Sequence, residues 1–313
     1  MLHDKKYFYK YVTAETALLI LQKRKLKYSS PAIFNDPFDT QTKVGFDFEE
    51  SEFMEVFADE LYGFFHDEKE PTLTNAVPLS KDIQAKRQIV KNSHRRMPKD
   101  VFKLETKTLI EDSAIMFKQY IDDMNTWWRQ VVKASRVFCV AEEHDNLLMW
   151  AHYTKDHKGA VIEFECLPEL DTPLCVAKKI KYVTKPPLIA RQNEYIRYIT
   201  RQDSYTLNHE LSVDDLFLSK SKHWEYEQEW RVFIPPVNME NPAIPKDVDG
   251  NDILFDLLPF YPQEIYSIYL GCKMSDENRQ KIKMCLTGDF KHVKKYKCIR
   301  SEKKYDLDFE EII

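Results

Sequence analysis

Helical periodicity runs almost without a break from about Glu50 to Lys133, and strand-type segments lie on both sides of it. Phe53, Val56, Phe57, Leu61 and Phe64 keep the spacing of one helix face, a charged stretch follows, and a second long helical pattern runs from Asp100 towards Trp128. Strand-type sequence resumes directly afterwards with RVFCVA at 136–141, so the helical stretch is an insertion within one domain of 313 residues. A chain arranged this way folds as an α+β protein, with a mixed, mainly antiparallel sheet core and a helical insertion at 50–133.

The flanking segments support that class. Lys6 to Tyr11 reads as a strand; Thr13 caps a helix carrying Ala14, Ala17, Leu18 and Leu21, and Leu26 to Ser29 reads as a second strand. Beyond the insertion, LLMWAHY is a short helix leading to Gly159, and Ala160 to Phe164 is a buried strand. Val176 to Val183 is strand-like, and a helical stretch surrounds Tyr195 and Tyr198, tyrosines with no functional assignment. Ile265 to Leu270, Val293 to Ile299 and Tyr305 to Phe309 are further strands, and among them Ser275 is the N-cap candidate of a helix running through Leu286.

Composition narrows the chemistry. Six glycines, with no GxGxxG and no GxxxxGK[ST], argue against a glycine-rich phosphate cradle. A net charge of −5 from mixed signs gives no general attraction to nucleic acid or anionic membrane. The six cysteines are scattered without a CxxC pair, as expected of small buried hydrophobes in a reducing compartment. No run is long and apolar enough to span a bilayer, so the expectation is a soluble, cytoplasmic protein with no membrane partner.

Three stretches carry candidate chemistry. In HWEYEQEWR (223–231), strand alternation puts Trp224, Tyr226 and Trp230 on a core face and Glu225, Glu227, Glu229 and Arg231 on the other. A solvated outer face of an antiparallel strand is the ordinary use of such a pattern. Against it, like charges two apart repel and glutamate is a poor strand former, which leaves open an acidic face turned into a pocket with Arg231 paired to Glu229. The loop FNDPFD offers Asn35, Asp36 and Asp39 between two phenylalanines anchored in the core, although Asn35 and Asp36 also suit a simple turn. Trp150, His152 and Tyr153 form a stacking surface for an aromatic ring. His152 and His157, five apart, do not share a helix face as two metal ligands would, and each is expected to be buried and hydrogen-bonded.

The blocks YKYVTAETALLILQKRKLKYSSPAIFNDPFD, FCVAEEHDNLLMWAHYTKDHKGAVIEF and HWEYEQEWRVF, in this order, resemble a widespread bacterial family known only as a domain of unknown function. More distantly, the strand–helix–strand entry and the late Glu227-Gln-Glu229 are similar to ADP-ribosyltransferase-like folds. That resemblance implies NAD as substrate, Glu229 as the catalytic acid holding the ribose 2′-hydroxyl, and Glu227 orienting a nucleic-acid or protein acceptor. Tyr11, Asn35, Asp36, Asp39, Trp150, His152 and Tyr153 would line the NAD site. Where such proteins place a histidine or arginine beside Tyr11, this chain has Lys10. A role in bacterial defence or a toxin system is the corresponding biological expectation. Two alternatives use the same residues: Mg²⁺ held by Asp36, Asp39, Glu227 and Glu229 for phosphodiester hydrolysis, or a non-catalytic module that senses a nucleotide. Acceptor and oligomeric state are left open by the sequence.

Overall fold

The computed structural model describes residues 3–43, 45, 50–66, 78–92, 98–188 and 213–312. The chain divides into two compact units, one of Met1–Gln41, Gln130–Pro186 and Phe217–Ile313, the other of Thr42–Arg129 and Pro187–Leu216. The helical stretch around Tyr195 and Tyr198 lies outside the described residues.

In chain order the elements are β1 (Tyr7–Val12), α1 (Ala14–Lys23), β2 (Lys25–Ser29), α2 (Glu50–His66), α3 (Pro78–Asn92), α4 (Lys99–Glu105), α5 (Lys107–Ala134), β3 (Arg136–Ala141), α6 (Leu147–Tyr153) and β4 (Ala160–Glu165). There follow β5 (Lys178–Lys179), β6 (Lys181–Val183), a six-residue helix (Val213–Leu218), β7 (Ser219–Ser221), β8 (Glu229–Ile234), β9 (Phe255–Pro259), β10 (Ile265–Leu270), α7 (Asp276–Cys285), β11 (Lys294–Arg300) and β12 (Leu307–Glu311). The fold is α+β. Its main sheet runs β12-β11-β10-β4-β1-β3-β2-β9, with β8 on β3 and β5 on β8, and is antiparallel except for β10 beside β11. In the second unit, α2 and α4 supply an aromatic core of Phe53, Phe57, Phe64, Phe65 and Phe102.

The first unit is built by strand alternation. Phe8 and Val12 of β1 enter one core with Ala14, Ala17, Ile20 and Leu21 of α1 and Ile282 of α7. Tyr11 turns to the opposite face, into a second cluster with Met149 and Trp150 of α6 and Tyr269 of β10, against which Tyr9 packs. Thr13 caps α1 by accepting from the Thr16 amide at 3.2 Å, and Ser275 caps α7 by accepting from the Asn278 amide at 3.3 Å, both as expected.

One irregularity of the sheet matters for the site. β8 pairs with β3 along all six residues, from Arg136↔Ile234 to Ala141↔Glu229. The other edge of β3 is divided, meeting β1 only at Tyr9↔Ala141 and β2 only at Ser29↔Val137. Strands that share one register position and then part leave backbone groups and side chains facing a gap. The Lys10 ammonium spans it, donating to the Cys139 carbonyl at 2.6 Å.

Two expected strands differ. Val176 to Val183 breaks into a 3-10 turn (Pro173–Val176) and the short strands β5 and β6. The strand expected from Trp224 begins only at Glu229, because Lys222–Glu227 is a 3-10 helix closed by Gln228 at φ 43°. That left-handed residue resets the side-chain register ahead of β8.

Gly159 and Gly271 permit a close backbone crossing. The Gly271 amide donates to the Gly159 carbonyl at 2.9 Å, and a Cβ on Gly271 would lie 2.2 Å from the His157 carbonyl oxygen. Since the obstacle is backbone, Gly271→Ala should cost about 3 kcal/mol, the upper end for overpacking. A urea midpoint unchanged from wild type would show that the crossing relaxes freely.

Candidate functional site

The gap beside β3 is a cavity of about 180 Å³, walled by Tyr9, Tyr11, Phe34, Met149 and Tyr153, with Asn35, Lys10 and Cys139 at its edges. Val140, Ala141, Asp39, Lys220, Glu227 and Glu229 complete the lining, and all of these residues belong to the first unit.

Its charged wall is built from three elements. β8 carries Glu229 and Arg231 on one face, the 3-10 helix ends in Glu227, and β7 supplies Lys220. Glu227, Glu229 and Arg231 are only 3%, 5% and 1% exposed, so the acids face inward. Trp224 and Tyr226, expected in the core, are half-buried instead, and Glu225 and His223 are exposed. From Glu227 onward the polar side of the predicted strand is thus the buried one, because a lattice of opposite charges replaces water around it.

Arg231 holds that lattice together. Its Nε donates to Glu229 at 2.7 Å, its two terminal nitrogens fork onto both oxygens of Asp39, and Nη1 also donates to the Phe217 carbonyl at 2.7 Å. Its guanidinium lies over the Phe34 ring at 5.3 Å. Lys220 bridges the two glutamates, 2.5 Å from Glu227 Oε2 and 2.8 Å from Glu229 Oε2, with Asp39 at 3.7 Å. Tyr153 donates to Glu227 Oε1 at 2.5 Å, and the Tyr182 hydroxyl accepts from the Glu229 amide at 2.8 Å.

The two glutamates therefore titrate in opposite directions. Burial resists ionisation of Glu229, but Arg231 and Lys220 outweigh it and hold the carboxyl well below the usual carboxylate range. For Glu227, burial prevails over Lys220, with repulsion from Glu229 added, and lifts its carboxyl above that range. Lys220 stays charged because Glu229 and Glu227 overcome its burial. The surroundings thus shift the two carboxyls apart, Glu229 towards its anion and Glu227 away from it.

Of the residues singled out from sequence, Glu227, Glu229, Tyr11, Asn35, Asp39 and Tyr153 meet at this cavity, and Arg231 stands behind it. Tyr11 is anchored by donating to the Glu143 carbonyl at 2.9 Å. Asp36, Trp150 and His152 are not in its lining. Asp36 is buried, with one oxygen accepting from the Phe38 amide at 2.9 Å, which is the turn-closing arrangement, while Phe38 is 69% exposed and no core anchor. Trp150 is fully buried and donates to the His144 carbonyl at 2.7 Å. His152 is exposed, and His157 is half-buried, stacked 6.2 Å from Trp150 with Nδ1 lacking a partner, so neither is the buried, hydrogen-bonded histidine expected. Lys220 was not anticipated. Its only sequence signal is the need of three clustered acids for more cation than Arg231 supplies.

Fold and site together define an α+β protein with a buried ionic lattice beside a parted strand pair. Residues 149–232 match the family model described as Protein of unknown function (DUF2971), in line with the family resemblance of the sequence blocks. The match takes in α6 from Met149 onward, Lys220, both glutamates and Arg231, and leaves β1 and the FNDPFD loop outside it. No curated protein and no solved structure matches the chain. Among the described residues, no helix is long and apolar enough to cross a membrane.

Proposed function

We propose that the cavity is the active site of an NAD-consuming ADP-ribosyltransferase-like enzyme in which Glu227, rather than Glu229, is the reacting carboxylate. The supporting observation is a ring-sized, aromatic-walled cavity with Glu227 on its wall. A cavity near 150 Å³ is known to hold a benzene ring, so about 180 Å³ suits one nicotinamide-sized ring and leaves the rest of a dinucleotide outside. In the reaction the glycosidic C–N bond breaks and its electron pair leaves with the nicotinamide nitrogen. The ribosyl carbon gains positive charge, which the carboxylate of Glu227 stabilises. The acceptor, a nucleic acid or protein group, then bonds to that carbon and yields its proton to Glu227. Glu229, held by two cations, fixes Lys220 and through it the position of Glu227.

The test is purified protein with labelled NAD, alone and with nucleic-acid or protein acceptors. Saturable nicotinamide release is the expected result. Absence of release under every acceptor condition removes the proposal. Stabilisation by nucleotides without any product would move the site to the sensing reading. The Mg²⁺ reading has less support, because Lys220 and Arg231 occupy the carboxylate oxygens a metal ion would need. Among the described residues no group of three or more His, Cys, Asp or Glu is disposed to hold one.

A further inference from the structure

A ladder of part-exposed rings adjoins the cavity, and the chemistry above leaves it unused. His152 of α6 lies 6.3 Å from Tyr226 at an interplanar angle of 30°, and Tyr226 lies 6.0 Å from Trp224 at 38°. Two lining residues join this ladder to the cavity. Tyr153, which donates to Glu227, has its ring 6.5 Å from His152, and the Lys220 ammonium sits over the Trp224 ring at 5.1 Å. The ladder is also held in place: the Tyr226 carbonyl accepts from Asn146 at 2.7 Å, and Ser221 caps the 3-10 helix that carries both Tyr226 and Trp224.

Half-buried aromatic side chains with planes roughly aligned are what stacking of a further planar ring requires. Their π faces are sequence-tolerant toward bases. Burial of Tyr226 and Trp224 would be the ordinary use of such large side chains, and the strand pattern called for it, yet both remain half-exposed. The cavity itself accommodates one ring, so a ligand with two must place the second beyond it.

We infer that His152, Tyr226 and Trp224 form a stacking platform for a nucleobase, adjoining the cavity that takes the first ring. The assignment of that base to the adenine of a dinucleotide rests on the NAD reading; the platform itself does not. Lys220 couples the two places, since the same ammonium that bridges Glu227 and Glu229 lies over Trp224.

Titration with AMP, which carries a purine but no nicotinamide, isolates the platform. The expected result is saturable quenching of tryptophan fluorescence that is absent in Trp224→Leu. AMP affinity measured by calorimetry should fall roughly tenfold in both Trp224→Leu and Tyr226→Leu, by the usual effect of losing one base–aromatic stack. Circular dichroism and melting of each variant verify that it is folded. Competition with AMP by NAD would assign the base to a dinucleotide, and competition by single-stranded oligo-dA alone would assign it to a strand; both sustain the platform. AMP binding equal to wild type in two folded variants, or no AMP binding at millimolar concentration, overturns it. Quenching by AMP without nicotinamide release from NAD would leave the platform standing and remove only the proposed reaction.

Discussion

Arg231→Met should lower the stability of the first unit by about 3–5 kcal/mol, the usual cost of removing one partner from a buried ion pair. Methionine fills similar space and keeps an apolar contact with Phe34, so the loss is one of charge and hydrogen bonds more than of volume. Asp39 suffers most. Both of its oxygens are forked by Arg231, and among the described residues the cation left beside it is Lys220 at 3.7 Å. Glu229 keeps Lys220 at 2.8 Å but loses its 2.7 Å bond to Arg231. Arg231→Lys should recover only part of the stability, since one ammonium cannot reproduce the planar fork to Asp39 together with the bond to Glu229. The pH dependence supplies a signature. Because the folded fold holds Glu229 below its unfolded range, that stabilisation is complete above about pH 4–5 and is lost as pH falls through the depressed value. In Arg231→Met the acid-side loss should shrink while stability at neutral pH drops. Chemical denaturation across pH measures both, and a neutral-pH loss below about 1 kcal/mol would mean that water or protonation relieves the orphaned acids.

The cost of that lattice explains which features can be read in the sequence. α1 is legible because its apolar residues keep a helical period behind the Thr13 cap, and β1, β3, β4 and β10 because they are short runs of apolar and aromatic residues. HWEYEQEWR misleads for the same reason: its alternation is regular through a segment whose backbone is not. Gln228 at φ 43° separates Glu227 on a 3-10 helix from Glu229 on β8, a break that hydrophobic periodicity does not register. The acids, spaced as an exposed strand face, are buried because Arg231 and Lys220 neutralise them, and Lys220 lies nine residues before Glu229 in the unremarkable run SKS. Trp150 shows the converse. An aromatic residue on a short helix beside a polar one suggests a ligand wall, but tertiary packing puts Trp150 in the core and gives the wall to Tyr153. β9, FDLLP, escapes notice because only its alternate positions are half-buried and proline ends it; pairing with β2, from Lys25↔Pro259 to Ser29↔Phe255, makes it a strand.

Glu227→Gln should lower nicotinamide release roughly 10²–10⁴-fold, the usual contribution of a positioned acid–base group, with the loss in kcat rather than KM. Its fold should survive. The glutamine carbonyl can still accept from Tyr153 or Lys220, and Lys220 keeps Glu229 at 2.8 Å and Asp39 at 3.7 Å. Removing the acid whose ionisation burial opposes also relieves repulsion with Glu229. A smaller loss of stability than in Arg231→Met is therefore expected, since Lys220 gives up its pair with Glu227 but keeps Glu229 and Asp39. Glu229→Gln should behave in the opposite way, costing stability first because it removes the carboxylate that Arg231 and Lys220 share. The rate profile of the wild type gives an independent sign. If the ionised form of Glu227 reacts, release falls as pH drops through its raised value, so the acid limb lies above the ordinary carboxylate range and vanishes in Glu227→Gln. Retained release in Glu227→Gln, with loss in a fully folded Glu229→Gln, would transfer the reacting role to Glu229. Stability and rate must be measured on the same preparations, because only a variant that is folded and slow separates the reacting carboxylate from the one that holds the lattice.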